Sequence, residues 1–482
     1  MWKPPERIRW KSGHGHIPDA GEINNSRLFS PLEQGRLKLR NRTWVPAMVP
    51  WRATDEGFVT EDVLQWYGRF ARGRPAAIVV EATGIRDVPS GPLLRIGHDR
   101  YLPGLEQLVE RVSEESHGDT CLFIQLIDFL AIRRRPEREK FITRFLRITP
   151  GIRRDLGLED EDEAAVRQAL LQKSDEELAV ILPEREFESL SKGYRERVTD
   201  THLPHIRELP EVLPGLFAAA AGRAEAVGMH GVELHFAHAY TMASFLSAAN
   251  DREDGYGGKC EHRVRLPLEV FNAVRNHVSD GFIVGSRFLA DECINGGSGV
   301  KDACYFATRF ARAGMDFLSL SRGGKFDDAK QPKVGQAAYP YTGPSGYECM
   351  PQYLSDEQGP FGRNFAATRE VRRVVRAAGF TTPVIGAGGI HNFELAERVL
   401  SEEIADVAAT ARQSLADPDW VRKLATGHAD EIRVCEYTNY CEGLDQKHKQ
   451  VTCQLWDRLQ LDEPGIRKSI DGRRRLVAPD WP

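Results

Sequence analysis

GVELHFAHAYTMASFLSAANDREDGYGGKCEHRVR, residues 231–265, sets the reading of the whole chain. It opens with an apolar run, Gly231-Val232-Glu233-Leu234, of the length of a buried strand. His235, His238 and Tyr240 follow within six residues, at the strand's C-terminal end. A polar loop comes next, with Asn250, Arg252, Asp254, Tyr256, Gly257 and Gly258, and then a helix start at Glu261-His262-Arg263. One histidine is commonly a satisfied core or surface residue. Two histidines and a tyrosine at a strand end, followed by a polar loop, form a group suited to holding a polarised oxygen and delivering a proton.

Working outward, the run at 231–235 is one of eight β-type runs, the others spanning 43–48, 76–81, 120–126, 281–287, 316–321, 383–387 and 405–410. Amphipathic stretches lie between them, at 61–72, 105–113, 216–227, 263–277, 301–313, 366–377 and 393–401. Continuous apolar strands alternating with helices mean a parallel sheet, and eight such units mean an α/β protein of the (β/α)8 TIM-barrel class. Residues 1–27 read as an N-terminal arm or partly disordered leader, 28–430 as the barrel, and 431–482 as a C-terminal extension. About eighty residues, 131–210, interrupt the barrel after its third strand; they are rich in charge and helical in periodicity. They are either a solvated decoration or a lid, an oligomer contact or an arginine clamp for an anionic substrate handle.

The chain has 482 residues and a formal net charge of −5, which argues against nucleic acid or an anionic membrane as the main partner. With 41% hydrophobic residues a large core is affordable, and no apolar run approaches the length of a membrane span. The N-terminal residues lack an apolar signal-peptide centre, so a cytoplasmic location is expected. Of eight cysteines, Cys121, Cys260, Cys293, Cys304 and Cys349 are scattered and read as reduced thiols. In a barrel of this class the chemistry sits at the C-terminal strand ends, and a phosphate site lies after strands seven and eight. Gly386-Ala387-Gly388-Gly389 ends the seventh run, where glycines let a phosphate approach backbone N–H groups.

Several stretches resemble the Old Yellow Enzyme family of FMN-dependent ene-reductases. The family's H-x-x-[HN]-G-Y is His235 to Tyr240 here, with Ala239 for the glycine; its N-x-R-x-D-x-Y-G-G is the loop from Asn250 to Gly258. Its entry motif matches Leu28-Phe29-Ser30-Pro31 and Leu39-Arg40-Asn41-Arg42. The resemblance implies FMN, reduction by NAD(P)H, and an activated C=C bond as the oxidant. It implies that His235 and His238 polarise a carbonyl and that Tyr240 gives a proton to the α-carbon. Gly388, Gly389, Ala411 and Arg412 then correspond to phosphate contacts, Ala411 replacing a glycine. Gln125 stands where a glutamine meets the pyrimidine edge of the flavin, and Arg287 where an arginine stabilises the anionic reduced ring. Ala82 is small where the family backbone passes the ring, and Met48 sits in the family's P-[ML]-[TC] position.

The departures are informative. Val49 stands where the family has a Thr or Cys that hydrogen-bonds the flavin O4. Asp128-Phe129-Leu130-Ala131 replaces the His and Gly-Arg of Q-L-x-H-x-G-R. The branch similar to 2,4-dienoyl-CoA reductase carries C-x2-C-x3-C-x11-C after the barrel. Here Cys435, Cys441 and Cys453 are kept, Thr438 takes the second position and one residue is missing. Four-iron clusters are held by four ligands, so an iron–sulfur cluster is not expected; about thirty residues follow Cys453, so the branch's dinucleotide-binding half is not expected either. The expected substrate is a small unsaturated carbonyl compound or acyl-CoA thioester, with a homo-oligomer left open. A flavin-dependent amine-type dehydrogenase and a flavin-binding scaffold of little turnover are the alternatives.

Overall fold

Eight parallel strands close on themselves in a computed structural model that describes residues 12–482 apart from 89–90, 239, 294–295, 324–333, 336–360 and 446. Of the sequence expectations, residues 1–11 of the arm, Ala239 and Cys349 lie outside the described residues. A short antiparallel hairpin comes first, β1 (Leu32–Gln34) and β2 (Leu37–Leu39), with Leu32 opposite Leu39. The barrel then follows in chain order: β3 (Thr43–Val45), β4 (Ala77–Gly84), β5 (Cys121–Ile127), β6 (Gly231–Phe236), β7 (Ile283–Leu289), β8 (Leu318–Ser321), β9 (Val384–Ala387) and β10 (Val407–Ala409). β10 pairs in parallel with β3 and closes the ring. All eight expected runs are strands, and the (β/α)8 class is the observed one.

The barrel's floor is aromatic. Trp44 stacks on Phe123, and Phe317 meets both edge-on, with ring centroids 5.0–5.6 Å apart. Leu32, Leu37 and Leu39 of the hairpin pack into the same buried cluster, so β1 and β2 plug the N-terminal end. β6 is buried along its whole length, as a parallel strand covered on both faces must be. Helix Glu61–Arg72 has the expected bounds, with Thr60 capping its N-terminus. Helix Leu209–Ala226 starts seven residues before the expected one, because Pro210 sits in its first turn and Pro214 is accommodated inside it. The first-turn N–H groups have no intrahelical partner, so Pro210 costs little there.

Two regions depart from the bare barrel. The insertion has its own core of Phe141, Ile142, Leu146, Ile152, Val166, Leu170, Leu178, Leu182 and Leu190. It is joined to β5 through an antiparallel neck, in which Arg133 N donates to Tyr194 O at 2.7 Å and Glu196 N to Ala131 O at 3.0 Å. The arm carries a helix, Ala20–Asn25, with Asp19 and Glu22 forming a capping box. Ile23 of this helix enters a buried cluster shared with Phe393, Trp420 and Leu424. The D-x-x-E signature was present in the sequence. Among the described residues no helix is long and apolar enough to cross a membrane.

Candidate active site

Parallel closure puts the C-terminal ends of all eight strands on one rim, which gathers the expected site residues there. Inward-facing positions alternate along each strand. Gln125 on β5 and Glu233 on β6 are register partners, and so are His235 and Arg287 on β6 and β7. Arg287 in turn pairs with Ser319 on β8. A polar ring therefore lies above the aromatic floor. Gln125 Nε2 donates to Glu233 Oε1 at 2.5 Å, and both side chains are buried.

A chain of hydrogen bonds links Arg287, Ser321 and the two histidines. Arginine only donates, so Arg287 Nη2 gives to Ser321 Oγ at 3.3 Å. Ser321 Oγ lies 2.7 Å from His238 Nε2. His238 Nδ1 faces His235 Nε2 at 3.3 Å, with one proton shared between the two rings. His235 Nδ1 is buried with no partner among the described residues. Burial, and then the Arg287 cation, push His235 down to about 3. The same two causes hold His238 well below its ordinary value. Both rings are neutral at physiological pH and present one N–H each.

Tyr240 stands at the N-terminus of helix Thr241–Leu246. Its ring meets His235 edge-on with centroids 5.5 Å apart, and Phe129 at 5.3 Å. His238 takes a left-handed backbone, φ 59°, which turns the chain between strand and helix. The polar loop after it is anchored by its own residues. Arg252 Nη1 donates to Val198 O at 2.6 Å and Ile206 O at 3.2 Å, and Asn250 Nδ2 to Phe245 O at 2.9 Å and Tyr256 O at 2.8 Å.

Across the rim, Gly388 and Gly389 follow β9 with φ of 145° and 71°, conformations that favour glycine. A Cβ on Gly388 would also meet Asn364 at 3.4 Å. Ala411 precedes the short helix Arg412–Ala416. The Arg412 guanidinium lies 4.6 Å over the Tyr437 ring, and its Nη1 donates to Asn439 Oδ1 at 2.7 Å. Ala82 sits beside a bulge in β4, where the register shifts between Val80 and Ala82. Met48 and Val49 are half-buried after β3.

Residues not singled out from sequence complete the rim. Glu233, Ser319 and Ser321 are inward polar residues in otherwise apolar strands, and that interruption was the available signal. The C-terminal extension was the larger omission. Trp51 Nε1 donates to Asp445 Oδ1 at 2.5 Å and stacks on His448 at 4.2 Å. Buried Arg52 donates to Val451 O at 2.9 Å and Leu476 O at 2.5 Å. The extension thus braces the loop after β3. A cavity of about 320 Å³ lies elsewhere, between helices Glu61–Arg72 and Leu102–Ser116 and the extension. Its arginines are committed, Arg69 to Asp419 and Arg72 to Glu115, so it is a salt-bridged seam.

Cys435, Cys441 and Cys453 are free thiols close enough to disfavour one another's ionisation. Burial pushes Cys441 up to about 12. No group of three His, Cys, Asp or Glu among the described residues is arranged to hold a metal ion. Thr438 stands at the sequence position of a fourth ligand, and three thiols are fewer than the four ligands such a cluster takes.

The model of the NADH:flavin oxidoreductase / NADH oxidase family matches residues 214–431. An NADH oxidase of Thermoanaerobacter brockii is 29% identical over 413 residues, 85% of this chain and 52% of that protein. An N,N-dimethylglycine/sarcosine dehydrogenase of Chromohalobacter salexigens is 27% identical over 460 residues, 93% of this chain and 56% of that protein. The chain spans about half the length of these curated relatives. Among solved structures, a 2-naphthoyl-CoA reductase complex is similar with a TM-score of 0.64 at 17% identity, covering 90% of this chain and 57% of that one. An old yellow enzyme homologue from Zymomonas mobilis is similar with a TM-score of 0.53 at 19% identity, covering 83% and 92%. At these identities the structural likeness bears on the fold alone.

Proposed function

We propose, from the match of residues 214–431 to the NADH:flavin oxidoreductase / NADH oxidase family, that the chain is an FMN-dependent oxidoreductase of that family and reduces an activated C=C bond with NAD(P)H. The observation that carries this reading is the hydrogen-bonded pair of neutral histidines beside Tyr240 and Arg287. What supports FMN as the resident group is the chemistry of the rim. Among the described residues Arg287 Nε and His235 Nδ1 are buried without partners, and Gly388 and Gly389 take backbone conformations that favour glycine. Gln125, Arg287, Ala82 and Met48 would face the ring, and Gly388, Gly389, Ala411 and Arg412 the phosphate. Bound FMN supplies hydride transfer from the nicotinamide to the acceptor.

The protein's own part is to hold an oxygen and move a proton. His238 Nδ1 and His235 Nε2 lie 3.3 Å apart, close enough for one acceptor oxygen to sit within hydrogen-bond reach of both. A substrate carbonyl oxygen there takes the place of the contact between the rings and accepts from each histidine that carries its proton on the facing nitrogen. Such donors are worth about 3 kcal/mol each where charge develops on the oxygen. Tyr240 O–H gives a proton to the α-carbon. The Arg287 cation balances the negative charge that the site gains.

The test is steady-state NAD(P)H oxidation with enones and enoyl thioesters as acceptors. Turnover with a saturated product supports the proposal, and no acceptor-dependent oxidation across the panel contradicts it. A second reading, oxidation of an amine, is favoured by the likeness to the N,N-dimethylglycine/sarcosine dehydrogenase over 93% of this chain. Flavin reduction by secondary or tertiary amines without NAD(P)H would select it.

A further inference from the structure

Glu233 is a fully buried carboxyl in the barrel lumen that the proposed chemistry does not use. Its Oε1 accepts the Gln125 side-chain N–H at 2.5 Å, while its Oε2 has no hydrogen-bond partner among the described residues. The Gln125 amide turns its NH2 end toward this carboxyl, and Arg287 is the cation that favours the ionised form. Burial pushes the carboxyl up, and Arg287, Gln125 and the Ser319 hydroxyl pull it back. Arg287 is itself buried, and Glu233 is the charge that favours its cation.

An ionised carboxylate only accepts, whereas a glutamine amide has a donating and an accepting end. While Glu233 is charged, Gln125 must turn its NH2 toward it. The amide oxygen and the second N–H are then aimed away from Glu233, as an acceptor and a donor side by side. The pyrimidine edge of a flavin presents a donor flanked by acceptors, the complementary pattern.

We propose that Glu233 is a positioning residue, which fixes the end of the Gln125 amide that meets the flavin's pyrimidine edge and offsets part of the Arg287 cation beside it. The inference rests on the FMN reading above and deepens it. Without Glu233, the amide is free to flip and the reduced, negatively charged form of the cofactor meets an uncompensated arginine.

The experiment measures the two-electron midpoint potential and the FMN dissociation constant of the purified holoenzyme and its variants. Glu233→Gln keeps the shape and removes the charge. It is expected to raise the potential by at least about 30 mV, a tenfold change in relative affinity for the two redox forms. Glu233→Asp keeps the charge and shortens the reach. It is expected to leave the potential near wild type and weaken FMN about tenfold. A Glu233 that only fills space predicts lower melting temperatures with neither readout moved, and that result overturns the proposal. If Glu233→Gln does not yield a holoenzyme, the pair Glu233→Asp and Gln125→Leu decides. A double variant no weaker for FMN than the worse single one supports a shared role, and additive losses overturn it. A wild-type protein that binds no FMN would instead remove the underlying reading.

Discussion

Tyr240, His235 and His238 divide the labour at the smallest scale. If Tyr240 supplies the proton, Tyr240→Phe leaves FMN binding and reduction by NAD(P)H nearly intact. Reoxidation by an enone then slows by about 10²–10⁴-fold, the usual loss for a general acid. Stopped-flow measurement of the two half-reactions checks this, and equal reoxidation rates would make Tyr240 a packing residue. The histidines carry a pH signature. Their native values lie below that of the unfolded chain, so protons bind the unfolded state first as pH falls. Stability is therefore lost between about pH 6.5 and 3, while the oxidative half-reaction has no histidine inflection between about pH 5 and 8. An inflection near 6.5 would mean that these rings are solvated. Glu81 behaves in the opposite sense. Burial raises it to about 8, against a hydrogen bond from Tyr67. Its contribution is present below the unfolded value and is lost as pH rises through about 8, at about 1.4 kcal/mol per unit. Denaturant unfolding at pH 6 and 9 is expected to show Glu81→Gln holding stability that the wild type loses. Parallel profiles would contradict that assignment.

Strands and insertions separate what the sequence disclosed from what it hid. Buried parallel strands are apolar on both faces, so all eight stood out as continuous runs, and the helices followed from their period. His235, His238 and Tyr240 were legible because polar groups rarely crowd a strand end. Glu233, Ser319 and Ser321 were not, since one polar residue inside an apolar strand looks like local noise until register sets Glu233 opposite Gln125 and Ser319 opposite Arg287. The bracing of Trp51 and Arg52 by residues near 450 could not be seen, because no periodicity reports contacts nearly four hundred residues apart. The insertion has its own core and a paired neck, so replacing residues 134–194 with a short glycine linker is expected to leave a folded barrel that binds FMN. Loss of the chromophore on excision would make the insertion part of the site. The three thiols predict no stoichiometric four-iron cluster. Iron and sulfide analysis after anaerobic purification tests this, and about four irons per chain would require a fourth ligand other than cysteine.

At the scale of the whole molecule, the plugged barrel leaves one polar rim, and both chemical groups of residues stand on it. Hydrophobic mass holds the floor; the rim keeps buried charges, and donors without partners among the described residues, that a folded protein ordinarily avoids. Such an arrangement is expensive unless a ligand completes it, and FMN plus a carbonyl substrate would complete it on both sides. The purified protein is accordingly expected to be yellow, with one FMN per chain released by acid. The most direct measurement of the central claim is a single anaerobic turnover. Photoreduced protein is mixed with an α,β-unsaturated carbonyl compound, and flavin absorbance and product are followed together. The account predicts reoxidation at a rate that depends on the acceptor, with one equivalent of the saturated product per flavin. A flavin that stays reduced across enones, enals and enoyl thioesters, and is reoxidised only when oxygen is admitted, would contradict it.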